Sequence, residues 1–423
     1  MSTMDLRQAL AGLLTLSMFI MLGNMIKKDH FDSMYDVNIE AAPASQNASE
    51  AVIDQSLATV SHVSKKSLME NGKGLKPCRN PLSLEEAHQS KGFITFSLTN
   101  GPEYHISQAT QIADAVVVAR ILGATLVLPD IRSSKLGYSM SLGDIYDVQK
   151  IINRLDGLVG VTKTLPVTNG NPPIVKVPNR VSQDYIVRIV KPIYKAKGIV
   201  KIESYFSSVN PTIAGNKKNL DSFACQAMFG ILQLQAEMLE VVDSMIQKLQ
   251  SWSQNSNGKF IAVDLRTEMV GRECHKKDVS GRKLCYQPHE IGEFLKKIGF
   301  SPETTVVYVT QTKWNSDLDA LKDIFPKTYT KETVMAEDKK GKFLRSKSSE
   351  FEKVIDFYIC SKSEVFVPSI PGLFYANVAG MRILSGKNQI LVPAEIAGPS
   401  ASASDYISSY ESQKNHFAYA CFC

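Results

Sequence analysis

The sequence predicts an α/β protein made of two successive halves, each a set of buried parallel strands joined through helices. Three observations predict it. Apolar runs rich in β-branched residues and lacking polar alternation occur as GFITF (92–96), TLVL (125–128), FIAVD (260–264), TVVYV (305–309) and EVFV (364–367). Strands covered on both faces of a parallel sheet read this way. Segments of helical period lie between these runs. A long amphipathic stretch followed by the polar break SQNSNGK (253–259) separates the first group from the second. The length of 423 residues fits two domains of roughly 150–200 residues plus a leader.

In chain order, GFITF is the first strand and the turn-rich SLTNGPEY (97–104) follows it. A helix is expected over 107–122, where Ile112, Val116, Ala119 and Leu122 share one face. Gly123 suits the C-cap, TLVL is the next strand and Pro129 stops it. From 151 to 209 short apolar runs alternate with Pro and Gly breaks and receive no assignment. Leu234, Met238, Val241, Met245, Leu249 and Trp252 form the stripe of a long helix. The second half alternates again: strand 260–264, helix 288–298, strand 305–309, helix 314–325, helix 349–360, strand 364–367 and helix 374–383. The expected architecture is two Rossmann-like domains facing a cleft, 89–252 and 253–423, with ligand outside the carboxyl ends of the strands.

The leader has its own physics. ALAGLLTLSMFIMLGNMI (9–26) is uncharged and just long enough to span a bilayer as a helix. It reads as an uncleaved signal anchor, because Lys27, Lys28, Asp29 and His30 follow directly where a secretory leader would carry a small-residue cleavage site. Residues 1–8 would then be a cytoplasmic tail and 27–88 a flexible stem, rich in Ser, Ala, Asn, Lys and Glu. The flanking charges, Asp5 and Arg7 before the span against Lys27 and Lys28 after it, point the wrong way for a type II protein. Asn47-Ala48-Ser49 is an N-glycosylation sequon on the stem.

Composition narrows the partners. Hydrophobic residues make up 44% and charged residues 21%, an ordinary globular balance. Forty-eight basic against 42 acidic side chains leave a net charge of +6, which suits an anionic ligand or an acidic membrane surface. No dense Lys/Arg block with interleaved aromatics marks a nucleic-acid binder. Of the seven cysteines, Cys274 and Cys285 bracket a polar loop and form the candidate disulfide, whereas Cys225 and Cys360 lie in apolar surroundings as buried thiols.

Two places carry candidate chemistry. In FIAVDLRTE (260–268), Ile261, Val263 and Leu265 share one face, so Asp264 and Arg266 take the other at the carboxyl end. A guanidinium there matches phosphate oxygens; an ordinary Asp–Arg pair is the alternative. The loop TNGPEYH (99–105), with Asn100, Gly101 and His105, leads into a helix N-terminus and can present N–H groups to an anion, or be a plain connection. Asp317-Leu318-Asp319 has the DxD form of some metal sites, but its place in a first helical turn points to capping. Gln311, Thr312 and Lys313 end a strand, and the KKGK run (339–342) reads as a solvated loop.

Taken together, DAVVVARILGATLVLPD, FIAVDLRTE, DIFPKTYTKE, SSEFEKVIDFYICSKSEVFVPSIPGLFYANVAG and a late LVPAE resemble, in this order, the plant protein O-fucosyltransferase-like glycosyltransferases. The mannan synthesis-related group is the most similar and spans essentially the whole chain. The resemblance implies a GT-B architecture and a single-pass type II Golgi membrane protein. It implies a metal-independent glycosyltransferase, of the hexosyl- or fucosyltransferase class, acting in cell-wall mannan synthesis. No cofactor is implied beyond a nucleotide-sugar donor, a GDP-sugar; the acceptor would be mannan or another glycan, and a mannan synthase a possible partner. Arg266 would contact donor phosphate, and Asn100, Gly101, Asp356, Gly372 and Phe374 would contribute to the nucleotide site. Asp264 or His105 would take the acceptor proton. The chain departs from the family pattern twice: its loop lacks the usual Asn-Gln pair and arginine, and Asp264 stands where the family has histidine. A different donor, an altered acceptor role, or a weakly catalytic accessory that binds mannan or supports its synthase are the alternatives those departures open.

Overall fold

A computed structural model describes residues 92–98, 104–129, 131–132, 139–165, 171–179, 181–205, 230–265, 283, 285–345, 350–369, 373–387, 389–394 and 401–408. Among the described residues no helix is long and apolar enough to cross a membrane. The 9–26 run, the stem and Asn47 lie outside them.

The first half is built on a five-stranded sheet. Its strands are β1 (Phe93–Phe96), β2 (Thr125–Val127), β5 (Val161–Thr162), β6 (Ile174–Pro178) and β7 (Ile199–Tyr205). A separate antiparallel ribbon pairs β3 (Ile131–Arg132) with β4 (Ser139–Met140). The order across the sheet is β5-β2-β1-β7-β6, and every pair is parallel. The second half holds a four-stranded parallel sheet ordered β10-β9-β8-β11, from β8 (Phe260–Asp264), β9 (Val306–Val309), β10 (Thr328–Tyr329) and β11 (Val365–Pro368). An α/β fold with two parallel sheets is therefore present, and the five strands expected from sequence all form.

The helix after β1 begins earlier than its periodicity implied, at Tyr104, and runs to Leu122. Gly123 closes it at φ +65°, a left-handed conformation that a side chain would strain. It is not a surface helix with one apolar stripe. Residues 111–119 are all buried, including Gln111 and Asp114, as expected of a helix sandwiched on both sides. It lies against β1, β2 and β7 and, from the other half, against the helices Glu350–Lys362 and Leu373–Leu384. Asp114 ties it down, accepting from Ser204 Oγ at 2.9 Å and from the Val181 N–H at 3.3 Å. Buried apolar residues of both halves consequently form one continuous cluster.

Three expectations need correction. The unassigned 151–209 segment supplies the last turns of the helix Val148–Leu155, then β5, β6, a helical stretch over 183–197, and β7. β7 is a central strand, yet its sequence IVKIESY alternates, because Lys201 and Glu203 pair at 3.6 Å on one half-buried face. The KKGK run is helical within Glu337–Phe343: Lys340 Nζ meets Glu337 Oε2 at 2.6 Å and Lys342 Nζ meets Glu237 Oε2 at 2.5 Å. One of these pairs lies a turn apart within the helix and the other ties it to the helix Ala236–Trp252. The helix Ala236–Trp252, placed at the end of the first half, packs on the second: Lys248 Nζ donates to the Thr333 carbonyl at 3.2 Å, and the Trp252 and Tyr329 rings stand 4.3 Å apart.

Two buried ionisable groups generate expectations. Arg382, fully buried, donates to the carbonyls of Cys360, Ser363, Glu364 and Gln389 and to Ser363 Oγ, so one guanidinium pins the junction of a helix end, β11 and the following loop. Arg382→Met strands those acceptors and is expected to lower stability by about 3 kcal/mol or more in urea denaturation. Burial pushes the Glu350 carboxyl up to about 7, with Lys353 opposing. The unfolded carboxyl titrates near its ordinary value of about 4.3. Between these values the folded protein holds a proton that the unfolded chain releases, so this group makes stability fall as pH rises from about 4 to about 7. Glu350→Gln is expected to flatten that slope and, at pH 8, to raise the unfolding free energy measured in urea by on the order of 2 kcal/mol.

Candidate functional site

The site is built where β8 and β9 end. The alternation read in FIAVDLRTE holds: Ile261, Val263 and Leu265 pack in one cluster, while Phe260 and Ala262 face the other. Asp264 continues the second face and is buried, 1% exposed, rather than offered to solvent. Its carboxylate Oδ1 accepts from Thr310 Oγ1 at 3.0 Å. The Leu265 N–H donates back to the same hydroxyl oxygen at 3.0 Å. On the far side, the Ser369 N–H donates to the Asp264 carbonyl at 3.2 Å and the Ser369 hydroxyl donates to it as well. Residues following β9 and β11 thus brace the end of β8 from both neighbours.

Behind this brace sits a buried ion pair. Lys331, 1% exposed, opens the short helix Lys331–Val334. Its ammonium reaches Asp356 Oδ2 at 2.6 Å and the Thr310 carbonyl at 2.8 Å. The other Asp356 oxygen accepts from the Tyr308 hydroxyl at 2.7 Å. Burial pushes the Asp356 carboxyl up to about 7, while Lys331 and Tyr308 favour its charged form and the nearby Asp264 charge disfavours it. Burial, with Asp356 alongside, holds the Tyr308 phenol well above the usual tyrosine range, so it stays a donor. The same burial raises the Cys360 thiol, which remains a buried, unreactive free cysteine.

The strand end after β9 is equally tied. The Lys331 N–H donates to the Gln311 carbonyl at 3.2 Å and the Glu332 N–H to the Thr312 carbonyl at 3.0 Å. The Thr312 hydroxyl donates to Glu352. The carbonyls of Gln311 and Thr312, at the strand end, thus hold the start of the Lys331–Val334 helix.

The other expected site residues fall in several places. His105 is the second residue of the Tyr104–Leu122 helix, in the turn after β1. Asn100, Gly101, Arg266, Gly372 and Cys274 lie outside the described residues. Cys285 is buried and disulfide-bonded. Phe374, in the first turn of Leu373–Leu384, is 9% exposed and belongs to the main apolar cluster. Asp356 is 6% exposed, with one oxygen on Lys331 and the other on Tyr308. Asp264 is buried and engaged with Thr310.

Thr310, Tyr308 and Lys331 were not singled out by sequence. Thr310 directly follows a buried strand and Lys331 sits in DIFPKTYTKE, so the only available signals were position and membership of that stretch. The Asp317-Leu318-Asp319 triplet behaves as a helix start: Leu318 is buried, and Asp319 Oδ1 accepts from Trp314 Nε1 at 2.8 Å. Among the described residues no cluster of His, Cys, Asp or Glu has the form of a metal site.

Comparison with known proteins agrees with this order of elements. Residues 107–385 match the family described as GDP-fucose protein O-fucosyltransferase. "Protein MANNAN SYNTHESIS-RELATED" of Trigonella foenum-graecum is 63% identical over 427 residues, covering 100% of both chains. "Protein MANNAN SYNTHESIS-RELATED 2" of Arabidopsis thaliana is 51% identical over 424 residues, covering 99% of both. A crystal structure of POFUT1 in complex with GDP aligns with 72% of this chain and 99% of its own at 14% identity, with a TM-score of 0.46, a likeness too loose to argue from. The family match and the full-length identities are decisive: the chain belongs to the GDP-fucose protein O-fucosyltransferase family, a family of fucosyltransferase-like glycosyltransferases, alongside the mannan synthesis-related proteins.

Proposed function

We propose that this protein is a Golgi glycosyltransferase of GT-B architecture that uses a GDP-sugar and acts on mannan or a related cell-wall glycan, anchored as a single-pass type II membrane protein by residues 9–26. The observation that carries the reading is the double brace on Asp264 and Leu265, from Thr310 on one side and Ser369 on the other. A strand end held on both sides gives the next residue, Arg266, a rigid base from which to meet a ligand. A central parallel strand ends where ligands of such sheets bind. The names of the full-length relatives support the mannan pathway, and the family description supports a GDP-linked donor.

In the transfer step an acceptor hydroxyl oxygen forms a bond to the anomeric carbon of the sugar as the bond from that carbon to the diphosphate oxygen breaks. Negative charge grows on the leaving GDP. Arg266 stabilises it with a charge-assisted fork, and N–H groups of the Asn100-Gly101 loop add to that field. The hydroxyl proton passes to a base. His105, at a helix start beyond β1, is the remaining expected candidate, since Asp264 is committed to Thr310. Cys274 is the proposed disulfide partner of Cys285.

That commitment of Asp264 also favours a second reading, an accessory protein that binds mannan or supports a mannan synthase and transfers sugar weakly or not at all. Nucleotide binding and transfer separate the two. GDP is expected to raise the melting temperature of the full chain, because a ligand of the native state alone must do so. Arg266→Ala should remove most of that rise and lower transfer from GDP-mannose or GDP-fucose to mannan oligosaccharides by roughly 100-fold or more. A protein that binds mannan oligosaccharide but ignores every GDP-sugar would establish the accessory reading instead.

A further inference from the structure

The interior of the second half contains more charge than packing requires. Asp264 and Asp356 are both buried. The cation paired with Asp356 is Lys331, itself buried, which comes from neither strand but from the short helix after β10. Isolated buried charges are costly, and replacing a buried ion pair with apolar side chains is often neutral or stabilising. Stability alone therefore gives a weak reason for this arrangement.

Geometry offers another. Among the described residues, both polar contacts of the Lys331 ammonium lead toward the ends of β8 and β9. One is the Thr310 carbonyl at 2.8 Å. Thr310 then holds Asp264 and Leu265 through its hydroxyl, at 3.0 Å in each case. The other is Asp356, which Tyr308 of β9 also holds, at 2.7 Å. We propose that Lys331 is a positioning residue for the nucleotide site: clamped between the Thr310 carbonyl and the Asp356 carboxylate, it fixes the ends of β8 and β9, beyond which a nucleoside diphosphate docks. The proposal rests on the GDP-sugar reading above. It assigns Lys331, Asp356 and Tyr308 an action through Thr310 and Asp264, without contact with the ligand.

Two consequences distinguish positioning from packing. An ion pair that only packs can be replaced by apolar side chains of similar volume with no effect on ligand affinity. A positioning pair cannot, because Thr310, which holds Asp264 and Leu265, loses the donor that orients it. Small displacements at a diphosphate contact are expensive in affinity and rate.

The test uses full-length protein, with melting temperature and GDP affinity measured on the same samples. K331M/D356L is expected to stay folded, melting somewhat below wild type because the Thr310 carbonyl and the Tyr308 hydroxyl each lose a partner, while its Kd for GDP rises about tenfold or more. Tyr308→Phe, which keeps the ring and removes one donor to Asp356, is expected to weaken GDP by roughly threefold with little change in melting temperature. Wild-type GDP affinity in a folded K331M/D356L protein would overturn the proposal and leave the donor reading standing. Should that variant fail to fold, unchanged GDP affinity in Tyr308→Phe overturns it in the same way. Absence of GDP binding in the wild type would sink the donor reading and the proposal together.

Discussion

The ammonium of Lys331, held in the interior between a carboxylate and a carbonyl, is the constraint around which the second half is arranged. A charge in that position is tolerable only with complete partners, so the elements that supply them must come together. β9 brings Tyr308 and Thr310, the helix Glu350–Lys362 brings Asp356, and the short helix after β10 brings the lysine. Thr310 then carries the arrangement to β8 through its hydroxyl. Arg382 does comparable work at the opposite, amino end of β11, where its guanidinium gathers carbonyls from a helix end, a turn and a loop. Directional polar contacts of this kind specify one arrangement of elements that hydrophobic burial alone would leave less defined.

The joint between the halves depends on burial instead. The Tyr104–Leu122 helix is buried all round its middle, so it cannot lie on a single sheet with one face in water. It needs cover from two sides. The first sheet supplies one, and the helices Glu350–Lys362 and Leu373–Leu384 supply the other. The helix carrying Asp356 thus touches the helix that follows the candidate donor loop. Site and joint share an element, a physical reason for the same stretch of sequence to carry both.

Much of this was legible in the chain. Strands such as FIAVD and VVYV are buried on both faces and therefore read as unbroken apolar runs. The opposite case failed: β7 is central but carries Lys201 and Glu203, whose mutual pairing lets a polar pattern sit inside a sheet. KKGK was misread because glycine's cost is local and visible, whereas Lys342's partner, Glu237, lies far away in sequence. Asp264 and Asp356 stood out by position and resemblance, but the buried partners they take did not. An aspartate at a strand end looks the same whether it faces a ligand or the back of a threonine.

The sequence by itself determined the fold class, the order of strands and helices, the alternation of faces along β8 and, through resemblance, the family. These depend on local periodicity, on turn chemistry and on stretches long enough to be matched. The tertiary structure decided which charges are buried, that Asp264 takes Thr310 and Asp356 takes Tyr308 as partner, and that Lys331 stands between Asp356 and Thr310. Those outcomes depend on contacts between residues tens of positions apart, such as Tyr308 with Asp356. The free energy of a charge is set by the neighbours that folding brings to it, and a linear pattern does not contain them.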